Sequence, residues 1–210
     1  MYIPRAFEEK RLPVLHELIR SQPFCSLITM GASGLFASHI PMVLHGDQGS
    51  FGILHGHLSR ANMQWRDFDP GVEALAIFSG AHHYISPSWY PEKSEHGKVV
   101  PTWNYAVVHA YGNLRTIENA EWLSAHLREL TDRQESATPA PWEITDAPAD
   151  FIESLMKGIV GLELTITRLE GKWKVSQNRS ERDRQGVIEG LEDLNSPESL
   201  AMKKLVSDRL

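Results

Sequence analysis

Two stretches of this sequence crowd aromatic and hydrogen-bonding side chains together where a core strand would alternate. The first is HGHLSRANMQW, 55–65. The second is YISPSWYPEKSEHGKVVPTWNYAVVHAYG, 84–112, which sets Tyr84, Trp89, Tyr90, Trp103 and Tyr105 among prolines. Aromatic rings on a loop with few polar partners suit a flat ligand or a subunit interface. Ser59, Arg60, Lys98 and Thr102 offer donors to a phosphate. The competing account is an aromatic corner that closes a barrel. A third stretch is WKVSQNRSERDRQGV, 173–187. From 168 to 184, six basic residues face three acids, in a chain whose net charge is −6. That edge suits an anion near a helix N-terminus, with Ser176, Gln177 and Asn178 adding neutral donors. A solvated helix start explains the charge run equally well.

The ten histidines raise a metal question. His55 and His57 project from the same face of a strand, while His82 and His83 point to opposite faces. An imidazole pair holds zinc, copper or iron only when a third ligand converges. No carboxylate or cysteine lies at an obvious spacing, so no metal ligand is assigned. Cys25, the one cysteine, sits in an apolar strand and reads as a small core residue. An intrachain disulfide and a cysteine-based zinc site are excluded. The sequence has no G-x-S-x-G elbow, P-loop, H-E-x-x-H or dinucleotide glycine fingerprint. No general base can be named, and catalytic residues stay unassigned.

Around these segments, 210 residues with 41% hydrophobic and 23% charged content describe an ordinary globular protein, far from disorder. The acidic balance disfavours autonomous nucleic-acid binding. No apolar stretch approaches the roughly 18 residues that span a membrane. The charged start, MYIPRAFEEKRLPVLHELIR, lacks the apolar run of a signal peptide, so the expected location is the cytoplasm.

Leu12, Leu15, Leu18 and Ile19 predict a helix over 8–21. Strands are expected over 23–30, 35–45, 50–58, 72–80, 104–117 and 158–171, with Gly31 and Gly34 at the first turn. Gly112 marks a bulge or kink. In the last strand Val160, Leu162, Leu164 and Ile166 face the core, with Gly161, Glu163 and Thr165 opposite. Segment 171–176 reads as a short strand or an extended loop. Helix starts are signalled at Asn119, Ser180 and Ser196-Pro197-Glu198, and a short helix at 149–156. About six strands precede most of the helices, without a βαβ rhythm. The expected fold class is therefore mainly β with peripheral helices (α+β), an antiparallel sheet curled into a barrel.

MYIPRAF, GHLSRANMQW, YISPSWY, VPTWNYAVVHAYG and KGIVGLELTITRLEGKWKVSQNR…DRQGVIEGL together resemble the PaiB family, from Tyr2 to about Leu191. Its members are flavin-binding proteins described as negative transcriptional regulators of protease synthesis and sporulation. The resemblance implies an FMN-binding split β-barrel, related to pyridoxamine-phosphate oxidases and flavin reductases. It implies a homodimer with flavin in a groove at the subunit interface. The barrel domain would cover 1–195, followed by a C-terminal helix over 196–210.

Carried onto this chain, Ser59, Arg60 and Asn62 are candidates for the flavin phosphate and ribityl chain. Tyr84 and Ser86 would line the ring or phosphate side. Trp89, Trp103 and Asn104 would enclose the ring, and Lys174, Gln177 and Asn178 would reach the cofactor from the C-terminal segment. FMN phosphate carries about two negative charges, which an Arg and hydroxyls can neutralise. The net charge of −6, with no helix-turn-helix and no basic stripe, favours an indirect effect on transcription. A flavin-dependent reaction, as in an FMN-dependent oxidoreductase, or a protein partner would carry it. Two alternatives stay open: a haem-handling split barrel, which the histidine count permits, and a direct DNA-binding repressor.

Overall fold

The computed structural model of the protein describes residues 1–209. The expected terminal helix reaches Leu210, which lies outside the described residues. β1 (Glu8–Glu9) precedes α1 (Leu12–Ser21). The leucine spacing places the helix start at residue 8, but Glu8 and Glu9 pair with Lys172 and Gly171 and hold that stretch extended. β2 (Phe24–Gly31) and β3 (Gly34–Pro41) form a hairpin in register from Phe24↔Pro41 to Gly31↔Gly34. Gly34 takes φ +97° at the turn, a conformation that costs a glycine little.

The run expected as one strand over 35–45 breaks at Met42, whose N–H donates to Pro23 O at 2.9 Å. β4 (Val43–His45) follows the break. β5 (Ile53–Ser59) starts after Gly52, where φ is +98°. Next come α2 (Gln64–Asp67), β6 (Ala74–Ile85), α3 (Glu92–His96) and β7 (Thr102–Ile117). The chain ends in α4 (Ala120–Glu135), α5 (Ala149–Met156), β8 (Ile159–Lys174), α6 (Glu181–Leu194) and α7 (Pro197–Ser207). Eight strands stand among the described residues, where the sequence suggests about six. The extra ones are β1 and the split-off β4. Asn119, Ser180 and Ser196 cap α4, α6 and α7 as their spacing predicts, each side chain accepting from a backbone N–H. Such a cap contributes about 1 kcal/mol.

The chain divides into two compact units. One gathers Met1–Leu18, Ser79–Val108 and the segment that starts at Glu170; the other gathers Ile19–Phe78 and His109–Leu169.

In the second unit the strand order is β3-β2-β6-β7-β8-β5-β4. β2 pairs with β3 and β6, β4 with β5, and β5 with β8, all antiparallel. β3 and β4 end this path, yet only Met42 separates them in the chain. That single residue ties the two ends and makes the strands curl, which is the barrel expected from strand order. Leu27, Leu54, Phe78, Leu162 and Leu164 are fully buried inside. Each contributes roughly 1.5–3 kcal/mol relative to exposure. Both faces of β8 are covered at 160–164, where the alternation suggests one. The reason is α4: a Cβ at Gly161 would collide with the Trp122 ring.

In the first unit β1 pairs with the end of β8, which runs on to Lys174 and settles 171–176 mainly as strand. Leu15, Leu18, Ile85, Trp173, Val187, Leu191, Met202 and Val206 are buried. Glu9 is buried among them with its charge retained. Arg11 Nη2 stands 2.6 Å from its carboxylate and Arg209 also binds it. Hydrogen bonding from Arg11 leads the causes that lower its pKa to about 2.

Candidate functional site

Ser59, Arg60 and Asn62 lie in the second unit, on the turn between β5 and α2, and this turn is internally tied. Ser59 Oγ accepts from Ala61 N at 3.2 Å. Asn62 donates to Ser38 Oγ at 2.9 Å and accepts from Gln64 N at 2.9 Å. Gln64 is buried and donates to Leu27 O and Thr29 Oγ1. The Arg60 guanidinium donates to Glu118 Oε2 at 2.6 Å. Both partners are solvent-accessible, so the pair is worth at most about 1 kcal/mol and an incoming anion can compete for the arginine.

The other eight candidates lie in the first unit. Tyr84 and Trp103 meet edge to face at 6.2 Å between centroids, and are 44% and 51% exposed. Trp103 Nε1 donates to His82 Nδ1 at 3.3 Å. Trp103, Tyr105 and His82 wall a cavity of about 400 Å³ that also meets the small residues Ser79, Gly80 and Ala106. Lys174 Nζ donates to Trp103 O at 2.9 Å and to the Thr102 hydroxyl. Burial first, then the charges of Lys172 and Arg179, lower the Lys174 pKa. A cation already opposed by two others is a seat for an anion. Aromatic walls and a cationic edge within one unit therefore match a flat anionic molecule.

Asn104 is buried and donates to Ser176 Oγ at 2.8 Å, while its Oδ1 has no hydrogen-bond partner. Its place is beneath the loop after β8. Gln177 folds back onto its own strand, accepting from Val175 N at 2.7 Å and donating to Trp173 O. Asn178 is exposed. Ser86 caps the short turn Pro87–Trp89, accepting from Ser88 N. Trp89 packs on α6, where a Cβ at Gly186 or Gly190 would strike it. The structure thus brings Tyr84, Trp103 and Lys174 together, and gives Ser86, Trp89, Asn104 and Gln177 local structural partners. His82 joins this region without a motif to announce it, while Lys172 and Arg179 come from the basic run over 168–184.

The strongest unanticipated feature is a histidine layer in the second unit. His55 and His57 do share a face of β5. His45 of β4 and His126 of α4 complete the layer, with His57 Nδ1 and His126 Nε2 3.1 Å apart. Glu163, paired with His55 in the β5–β8 register, supplies the carboxylate that sequence spacing hides. The one available signal is on α4, where Trp122, His126 and Glu129 fall on one helical face. No group of three or more metal-binding side chains is placed to hold a metal ion among the described residues. Cys25 is buried, and burial pushes its thiol up to about 12, the state of an inert core residue.

Residues 1–168 match the family model described as "Putative FMN-binding domain". The chain belongs to this family. It is 32% identical to the protease synthase and sporulation protein PAI 2 of Bacillus subtilis, over the whole chain and 98% of that protein. It is 35% identical to the uncharacterized protein AN0679 of Emericella nidulans, over the whole chain and 97% of that protein. The flavocytochrome Anf3 of Azotobacter vinelandii shares the fold, with a TM-score of 0.56 at 11% identity over 82% of this chain and 72% of that one. The chain is thus an FMN-binding, PaiB-like protein with an antiparallel split-barrel fold. Among the described residues no helix is long and apolar enough to cross a membrane.

Proposed function

We propose that the flavin ring lies against Trp103 and Tyr84, and that Lys174 stands at its anionic end. The observation that carries this is the exposed Tyr84–Trp103 ring pair: Trp103 also walls the cavity, and its carbonyl accepts from the Lys174 ammonium at 2.9 Å. Large aromatic rings left this exposed beside a cation whose bonds go to neutral oxygens gain most from a flat, charged ligand. Bound FMN would supply electron transfer. The residues here would hold it, shield one face from water and neutralise its phosphate. Arg60 remains a second phosphate candidate, because its exposed bond to Glu118 is readily exchanged.

The protein acts as a homodimer in this reading. Phe24, Met30 and Leu35 are 64%, 42% and 73% exposed on one face of the β2–β3 hairpin, and Met30 and Leu35 are directly opposite in register. An apolar sheet face of this kind meets a partner, most commonly a second copy about a two-fold axis. Its influence on transcription is indirect, through flavin-dependent redox chemistry or a bound protein.

Titrating purified protein with FMN while following flavin fluorescence tests the site. Trp103→Ala is expected to weaken FMN and riboflavin alike, and unchanged binding of both would remove Trp103 from the site. Leu35→Lys is expected to shift light scattering toward the monomer mass, and an unaltered dimer would move the interface elsewhere. His82, exposed on the cavity rim, is the observation that favours haem as the second reading. The absorption spectrum separates the two: a two-peaked band near ~450 nm marks flavin and a Soret band near ~400 nm marks haem.

A further inference from the structure

Helix α4 is seated on imidazoles. His45 and His55 stack at 4.1 Å between centroids, His55 lies 4.8 Å from Trp122, and Trp122 stacks on His126 at 5.3 Å. His126 is 2% exposed. Nδ1 of His126 has no hydrogen-bond partner, and Nε2 of His45 and of His55 meets only a carboxylate, at 3.5 and 3.3 Å, without good hydrogen-bond geometry. A leucine layer would seat this helix at lower cost, since buried polar atoms without partners are destabilising. We propose that the layer makes α4 a proton-sensitive clasp: it is closed on the sheet while the imidazoles of His55, His57 and His126 are neutral and lets go when they charge.

The charged and titratable groups facing the layer can be followed element by element. β4 supplies His45, and β5 supplies His55 and His57. β8 supplies Glu163, whose Oε2 is 3.3 Å from His55 Nε2. β7 supplies Arg115, already 2.6 Å from the other oxygen of Glu163. α4 supplies His126 and Glu129, the latter 3.5 Å from His45 Nε2 and 2.7 Å from Arg133. Both carboxylates are thus engaged by arginines and only partly compensate an imidazolium. At 3.1 Å, His57 Nδ1 and His126 Nε2 share a single hydrogen, so charging both rings sets two N–H groups against each other.

Burial, as the first cause, lowers the pKa of His55, His57 and His126, and for His126 the value falls to about 3. Once α4 lifts, each ring titrates near its ordinary value of about 6.5. A proton is therefore taken up on opening, and the closed state is fully favoured only above about pH 6.5. As pH falls below that value, opening gains with every histidine the closed state keeps neutral. At pH ~5.5 His126 by itself raises the opening constant about tenfold, and His55 and His57 act in the same direction.

Hydrogen exchange of the full chain, read by mass spectrometry and corrected for intrinsic rates, tests this at pH 7.5 and 5.5. Peptides from 120–135 are expected to lose about tenfold or more protection at the lower pH, while peptides from 24–41 keep theirs. His126→Gln retains a donor toward His57 and cannot titrate, so it is expected to remove about tenfold of that loss. His55→Gln is expected to shrink the loss as well and decides the matter if the first variant does not fold. Equal protection of 120–135 at both pH values, loss in step with 24–41, or an unchanged pH response in the folded variants would overturn the clasp.

Discussion

Asn104 donates to Ser176 Oγ across 2.8 Å, and Ser176 holds φ +64°, a left-handed conformation uncommon for a serine. One buried amide therefore fixes the corner at which β8 leaves the sheet. Lys174 lies just before that corner and Arg179 just after it. Asn104→Ala removes the donor and is expected to cost about 1–3 kcal/mol. Flavin binding should weaken with it, because the loop beside Lys174 loses its anchor. Ser176→Gly relieves the backbone but deletes the acceptor, so its net change should be smaller. Urea midpoints of the two variants check the order, and an Asn104→Ala protein as stable as wild type would show that the contact holds nothing in place.

The phosphate seat is tested by comparing two ligands. Lys174→Met should weaken FMN about tenfold or more and leave riboflavin almost unchanged, as a lost charge-assisted hydrogen bond implies. Arg60→Ala should show the same selectivity if the arginine leaves Glu118 for the phosphate. Fluorescence titrations with both ligands separate the cases: equal losses would assign the residue to the ring or to the fold, and no loss would free it from the site.

Local rules made much of this architecture legible. Asn119, Ser180 and Ser196 announced their helices through side-chain oxygens aimed at backbone N–H groups. The β2–β3 hairpin followed from alternation and a glycine turn. Glu8 and Glu9 defeated the helical period because the strand they join lies more than 160 residues away, a pairing no local pattern carries. The same limit hid the site's partners. Trp89 looked like a ligand wall in its own loop, and only the glycines of α6 reveal where its ring packs. His45 and His126 come from a strand and a helix far apart in sequence, so their meeting with His55 and His57 is purely tertiary.

Glu9 gives a second pH prediction, of the same sign as the histidine clasp but in a more acidic range. Its pKa is about 2 in the folded protein against an unperturbed 4.5, chiefly through Arg11. A lowered carboxylate pKa stabilises above the unfolded value. That stability is present above pH ~4.5 and is lost as pH falls from there toward ~2. Glu9→Gln should cost on the order of 2 kcal/mol at pH 7 and flatten stability across this acid range. Chemical denaturation at several pH values checks it, and an unchanged acid slope in the variant would assign the acid sensitivity to other groups.

Direct reading of DNA makes a separate demand, that free positive charge face the phosphates. The chain carries −6 overall, and a dimer about twice that, so its long-range field opposes approach to a duplex. The cationic segment 168–184 is also largely committed. Arg182 binds Glu95, Arg184 donates to Arg209 O, Arg179 lies over the Tyr90 ring, and Lys172 donates to Tyr2 O. Non-specific affinity comes mainly from counterion release, with a log–log salt slope of roughly −0.9 per phosphate contacted. With few uncommitted cations that slope should be shallow and the affinity low. We expect no measurable binding to random duplex DNA at ~150 mM salt, where ordinary non-specific binders still reach roughly 10⁻⁴–10⁻⁶ M. Fluorescence anisotropy of a labelled duplex, with and without FMN, is the measurement. Tight binding that weakens steeply with salt, and that disappears when Arg179, Arg182 and Arg184 are reversed to glutamate, would restore direct repression and place the DNA on this edge.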